Sequence, residues 1–144
     1  MAMPPDLRTS HSVDIDAPIE DVWRALTTPA VIERWFFGVR TVTDWKEGSP
    51  LVHTGEWQGK PYEDKGTIVR VEPGELLVHT HWSPMSGLPD LAENYQEVTW
   101  ALAEAPEGTR LTVSETNLPS EQAKTLSDTS WVAVLGNLKR VLEG

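Results

Sequence analysis

Residues 95–144 read YQEVTWALAEAPEGTRLTVSETNLPSEQAKTLSDTSWVAVLGNLKRVLEG. The first part alternates. Val98, Trp100 and Leu102 fall on one face of an extended chain, with Thr99 and Ala101 on the other. After the turn signal EAPEG the alternation resumes, with Leu111, Val113 and Glu115 on one face and Arg110, Thr112 and Ser114 opposite. Then the period changes. Ser120 suits an N-cap, Glu121 suits the positive end of a helix, and Trp131, Leu135, Leu138 and Leu142 recur on one helical face, which Val134 and Val141 broaden. A hairpin with one apolar face and a long amphipathic helix each need a surface to bury against, and each offers it to the other.

Working back towards the N-terminus, the same alternation predicts strands at Val39–Trp45, Leu51–Gln58, Lys65–Val71 and Leu76–Trp82, ahead of Tyr95–Ala103 and Thr109–Thr116. Their links, KEGSP, QGKPYED, EPGE and the longer SPMSGLPDLAEN, carry turn residues, and short links between consecutive strands make an antiparallel meander. SHSVDIDAP, residues 10–18, reads as a first strand ended by proline. PIEDVWRALTTPAVIERWFFG then predicts two short helices, divided at Pro29 and stopped at Gly38. The expected fold is α+β: a seven-stranded curved antiparallel sheet wrapped on a long C-terminal helix, with two short helices between strands 1 and 2. It forms a single domain over residues 1–144, with residues 1–9 a flexible N-terminus.

Composition narrows the function. A net charge of −10 with no basic run argues against nucleic acid or an anionic membrane as partner. The absence of cysteine removes disulfides, thiol catalysis and thiolate metal sites. No apolar core of a signal peptide and no stretch of transmembrane length occurs, so a cytoplasmic protein is expected. There is no Gly-x-Ser-x-Gly elbow and no glycine-rich phosphate loop, and nothing calls for a cofactor.

The chemistry-bearing residues are few. His79 and His81 share one strand face with Leu77, while Leu76, Val78, Thr80 and Trp82 share the other; both faces hold apolar residues, and the outward or rimward direction is favoured for the histidines. Two histidines at this spacing can ligate a metal, but a third ligand, His53 or Glu115, would have to join them and nothing in the sequence brings it there, so no metal is assigned. Glu115 is expected on the inner side near its strand end, where a carboxylate is costly unless paired or wet. Trp35, Phe36 and Phe37 sit where the second helix meets the sheet, and Trp57, Trp82, Trp100 and Trp131 add to seven tryptophans in all. The N-terminal half of the last helix is light, from Ala123 to Ser130, and its C-terminal half is heavy, which would pack one end and leave a mouth at the other.

These segments together also resemble a known family. APIEDVWRALTTPAVIERWFFG, GTIVRVEPGELLVHTHWSP, YQEVTWALAEAPEGTRLTVSETN and WVAVLGNLKRVLE resemble the START-like (birch-pollen-allergen-like, SRPBCC) superfamily. Within it they are closest to the group related to the C-terminal domain of the heat shock protein 90 ATPase activator. The resemblance implies a helix-grip fold with a cavity between sheet and C-terminal helix. The superfamily spans carriers, cyclases, hydrolases, receptors and co-chaperone domains, so it implies no single reaction.

Three functions follow as expectations. The first is a small apolar molecule bound in the cavity by Trp35, Phe36, Phe37, Trp57, His81, Trp82, Met85, Trp100, Glu115 and Trp131. In this reading HTHWSPMSGLPD, residues 79–90, is a strand end and a loop over the cavity rim. The second is a co-chaperone-like module with a chaperone as partner, although the chain offers one domain without the further N-terminal part of a full activator. The third is an enzyme using His81 or Glu115 as acid or base. Monomer and homodimer are both compatible with the sequence.

Overall fold

The computed structural model describes residues 7–144. The chain runs β1 (Thr9–Ile15), α1 (Ile19–Thr27), α2 (Pro29–Trp35), β2 (Arg40–Val42), β3 (Pro50–Trp57), β4 (Lys60–Glu72), β5 (Leu76–His81), β6 (Gln96–Ala105), β7 (Gly108–Thr116) and α3 (Glu121–Glu143). Two single-turn 3-10 helices, Pro84–Ser86 and Ala92–Asn94, shape the loop between β5 and β6. The seven strands form one antiparallel sheet in the order β1-β7-β6-β5-β4-β3-β2. Everything after β2 is a meander. β1 closes the far edge against β7, and α1 and α2 carry the chain from one edge to the other.

Residues 1–6 of the expected flexible N-terminus lie outside the described residues. The rest of that stretch is held: the Leu7 carbonyl accepts from the Leu118 N–H at 3.0 Å, and Thr9 opens β1.

Alternation puts one sheet face inside. Register aligns its rows: Leu102 opposes Leu111, Trp100 lies between Leu77 and Val113, and Val98 lies between His79 and Glu115. Against these rows α3 sets Val134, Leu135 and Leu138, all buried, and α1 adds Val22, Ala25 and Leu26. Burying such side chains stabilises by about 1.5–3 kcal/mol each. The heavy half of α3 is also pinned by polar contacts: Lys139 donates to the Asp14 carbonyl at 2.7 Å and Glu143 accepts the Asp16 N–H at 2.8 Å. At its other end Ser120 caps the helix by accepting the Ala123 N–H.

Two expected boundaries shift. The stretch QGKPYED is not a loop. The chain reverses within Gln58 and Gly59, both at positive φ (50° and 79°), the geometry of the tight hairpin turn, so Trp57 pairs with Lys60 and KPYED belongs to β4. In the other direction, the expected strand Val39–Trp45 shortens to Arg40–Val42. Trp45 takes φ 62°, and the Asp44 carboxylate accepts the Lys46 N–H at 3.1 Å, which turns the chain out of the sheet.

Candidate functional site

Between the inner sheet face, α2 and the light half of α3 lies a cavity of about 360 Å³. Its origin is in the sequence of α3. Up to residue 130 the helix presents Ser127 and Ser130 to this space, and bulk begins with Trp131. The helix therefore packs on the sheet at one end, while at the other it leaves space over the central strands and keeps hold of the sheet edge, where Asp128 accepts from the Thr9 hydroxyl and meets Nε2 of His11 at 2.9 Å.

The aromatic wall is a connected set. Trp100 meets Trp131 edge to face, ring centroids 5.4 Å apart, and meets Trp35 at 5.8 Å. Trp35 stacks on Phe36 at 5.6 Å, Phe36 meets His53 edge-on at 5.5 Å, and His53 lies 6.4 Å from His79. The indole N–H of Trp100 donates to Nε2 of His79 at 3.2 Å and closes the circuit. Such contacts hold rings in fixed orientation. The Trp35 indole donates to the Ala25 carbonyl at 2.9 Å, so α1 fixes this ring from behind.

The polar wall comes from β3, β4 and β5. An indole N–H only donates, so Nε2 of His79 accepts and Nδ1 carries the proton, which it gives to the Thr80 carbonyl at 3.1 Å. His79 is thus a neutral imidazole with both nitrogens used, and burial pulls its pKa down to about 4. His53 contacts the Thr41 hydroxyl through Nδ1 at 2.9 Å; burial, reinforced by His79 and His81, lowers it to about 3. His81 meets Oδ2 of Asp64 through Nε2 at 3.0 Å. The second oxygen of Asp64 is buried and has no hydrogen-bond partner. At the base of α3 Glu115 accepts the indole N–H of Trp131 at 3.0 Å.

The cavity brings together nine of the ten side chains expected to bind a ligand: Trp35, Phe36 and Phe37 from the α2 end, Trp57, His81 and Met85 from the opposite rim, and Trp100, Glu115 and Trp131 from the floor. Trp82 is the exception. Strand parity turns it away from His81: its indole donates to the Leu88 carbonyl at 3.3 Å and its ring stacks on Tyr95 at 6.3 Å. Alternation leaves open which face of this strand points inward, with the outward or rimward direction favoured for Leu77, His79 and His81; pairing decides it, with His81 at the rim. All three line the cavity, because Leu77 opposes Trp100 and His79 opposes Val98 on the inner face. Glu115, 6% exposed, sits inside the structure and not in a solvated strand end. His53, considered only as a metal ligand, and Tyr62 and Asp64, hidden in the supposed loop, also belong to the lining. The signal for the last two was present: Tyr62, Asp64, Gly66 and Ile68 alternate in one phase.

Among the described residues no three His, Asp or Glu side chains stand close enough to hold a metal ion. The arrangement offers an aromatic chamber with one polar wall, and a carboxylate–imidazole pair, Asp64 and His81, within that wall.

Comparison with known proteins places this geometry. Residues 16–143 match the family described as Activator of Hsp90 ATPase homolog 1-like protein. The chain belongs to that family. With the helix-grip fold, the match sets it in the START-like (SRPBCC) superfamily. Its structure is similar to the solution structure of ChR145 from Cytophaga hutchinsonii, at 42% identity and a TM-score of 0.84 over 98% of this chain and 97% of that one. CalU16 from Micromonospora echinospora is 28% identical with a TM-score of 0.68, over 95% of this chain and 74% of that one. Protein MLL2253 from Mesorhizobium loti, 22% identical over 95% and 97% of the two chains with a TM-score of 0.78, shares the fold. No curated protein matches the chain. Among the described residues no helix is long and apolar enough to cross a membrane.

Proposed function

We propose that this protein binds a small apolar molecule in the chamber between its sheet and α3. One observation carries the reading: a cavity of about 360 Å³ walled by tryptophan and phenylalanine. Ligand sites have volumes of about 300–1,000 Å³, with mainly apolar walls and a few polar groups that fix orientation. Its mouth supports the same reading. Phe37 and Trp57 are each 60% exposed and Met85 55%, which gives an entering apolar molecule a surface to meet before the interior. The ligand-binding set is then the nine expected residues that line the space, joined by His53, Asp64 and His79. Native mass spectrometry of freshly purified protein is the test. A bound mass that is released on denaturation is expected, and its loss in Ser127→Trp, which fills the mouth from α3, would tie it to the chamber. Protein that carries no adduct and takes up no apolar probe would exclude the reading.

Family membership favours a second reading, a co-chaperone-like module acting on a heat shock protein ATPase. The same exposed rim would then be a protein contact. Stimulation of chaperone ATPase activity by the purified chain, lost in Trp57→Ser but kept in Ser127→Trp, would favour it over the first.

A further inference from the structure

Glu115 is a carboxylate inside the fold without a cation. It is 6% exposed, on the inner face of β7 between Thr9 of β1 and Val98 of β6. Its hydrogen bond is to a neutral donor: Oε1 accepts the Trp131 indole N–H. Among the described residues no Lys, Arg or His forms an ion pair with it. The chamber's three histidines face other groups: His53 meets Thr41, His79 lies between Trp100 and Thr80, and His81 meets Asp64. The neighbouring Thr9 gives its hydroxyl to Asp128. Glutamates are rarely buried unless a cation or a metal accompanies them. No group of three His, Asp or Glu side chains among the described residues could hold a metal.

The second oxygen is within reach of a ligand. Oε2 has no hydrogen-bond partner among the described residues, where the only side-chain polar atom both unpartnered and fully buried is Oδ1 of Asp64. Oε2 therefore keeps accessible surface, and Glu115 lines the chamber. Its surroundings suit a positive charge. Neither Lys nor Arg lines the chamber, so nothing there repels a cation permanently. The indoles of Trp100 and Trp131 stand beside Glu115, and indole attracts a cation more strongly than the other aromatic rings do.

We propose that the chamber's ligand is an apolar molecule bearing a protonated amine, and that its ammonium donates to Oε2 of Glu115, which makes Glu115 the counter-ion that selects cationic ligands over neutral or acidic ones of the same shape. The inference rests on the ligand-binding reading and narrows it to a chemical class. The fold already bears the cost of holding one charge away from water. An arriving ammonium completes the pair, and the low dielectric around the indoles strengthens their attraction. Trp131 is a positioning residue, because its bond to Oε1 leaves Oε2 for the ligand.

The test uses the full chain and three probes of one shape: 2-naphthylmethylammonium, 2-naphthylmethanol and 2-naphthoate, titrated calorimetrically at neutral pH. The wild type is expected to bind the ammonium about tenfold or more tighter than the alcohol, since a charge-assisted hydrogen bond contributes on that scale, with the naphthoate weakest. Glu115→Gln keeps the shape and an acceptor for Trp131. In it the ratio falls to about one, because the ammonium weakens while the alcohol does not. In Asp64→Asn, whose acid has His81 beside it, the preference remains. A net charge of −10 attracts any cation to the surface, so the wild-type titrations are repeated in about 1 M sodium chloride, where the Debye length is about 3 Å. Attraction by surface charge disappears there and the preference for the ammonium persists, a result that decides the question even should Glu115→Gln not fold. Equal binding of ammonium and alcohol by the wild type, a preference that survives Glu115→Gln, or one that vanishes in high salt, each overturns the proposal while leaving the chamber a ligand site. Binding of none of the probes removes the ligand-binding reading and this proposal with it.

Discussion

The indole N–H of Trp131 on α3 donates to Oε1 of Glu115 on β7 at 3.0 Å, across the floor of the chamber. This bond ties the helix to the sheet where the chamber begins, and it answers a carboxylate only 6% exposed. Trp131→Phe keeps an aromatic ring but removes the donor and part of the ring volume, so it should cost at least about 1.5–3 kcal/mol, the range for a hydrogen bond to a charged group. Urea denaturation of the two proteins reads the difference. A Trp131→Phe, Glu115→Gln double variant should recover part of the loss, because the buried charge has gone with its donor.

Stability should fall with acid earlier than in a protein without buried histidines. His53 and His79 are lowered by burial to about 3 and about 4 in the fold, against an ordinary value of 6.5. Between those limits the unfolded chain binds more protons than the folded one, so stability rises with pH and is lost as pH drops from 6.5. The shifted carboxyls act lower: Asp14, Asp44, Asp90 and Asp128 are depressed from 3.8 and Glu143 from 4.5. Thermal midpoints should therefore decline between pH 6.5 and 4.5 on account of the histidines. In His79→Gln that decline should shrink, and an unchanged profile would refute the assignment.

Gly66 marks the tightest approach of a neighbouring backbone to any glycine of the sheet. A Cβ there would stand 1.9 Å from the Thr80 carbonyl oxygen, a backbone atom unable to swing aside. Gly66→Ala should destabilise by about 2 kcal/mol or more, since overpacking alone costs about 1–3 kcal/mol. It should also disturb the β4–β5 seam that carries Asp64 and His81. Loss of their amide cross-peaks before those of β6 and β7 would show where the strain goes.

The two halves of α3 should respond differently to substitution. Leu138 is fully buried, and Leu138→Ala should cost about 2–5 kcal/mol. Leu126 is 66% exposed on the light half, and Leu126→Ser should change stability by less than about 0.5 kcal/mol. Denaturant midpoints for the pair measure the contrast directly.

Much of this architecture was legible because period is a local signal. Leu111, Val113 and Glu115 share a phase in the sequence and one buried face in the fold, and the change of period after Ser120 announced α3. Where residues of both faces were apolar, parity had no vote: Leu76 and Val78 look as fit for the interior as Leu77, and only pairing with β6 turns Leu77 and His79 inward. Asp64 escaped notice for another reason. Pro61 and the charges around Tyr62 read as a turn, yet the reversal needs only Gln58 and Gly59. The contact of Asp64 with His81 joins residues 17 positions apart on neighbouring strands, which no spacing rule supplies.

Of the seven tryptophans in the chain, Trp35, Trp45, Trp57, Trp100 and Trp131 all border the same chamber. Indole emission is sensitive to the polarity around the ring, and five of the seven rings that can report it stand at the cavity. Occupancy can therefore be followed without any label, as a change in intensity and wavelength when guest replaces solvent. The molecule carries its own optical gauge.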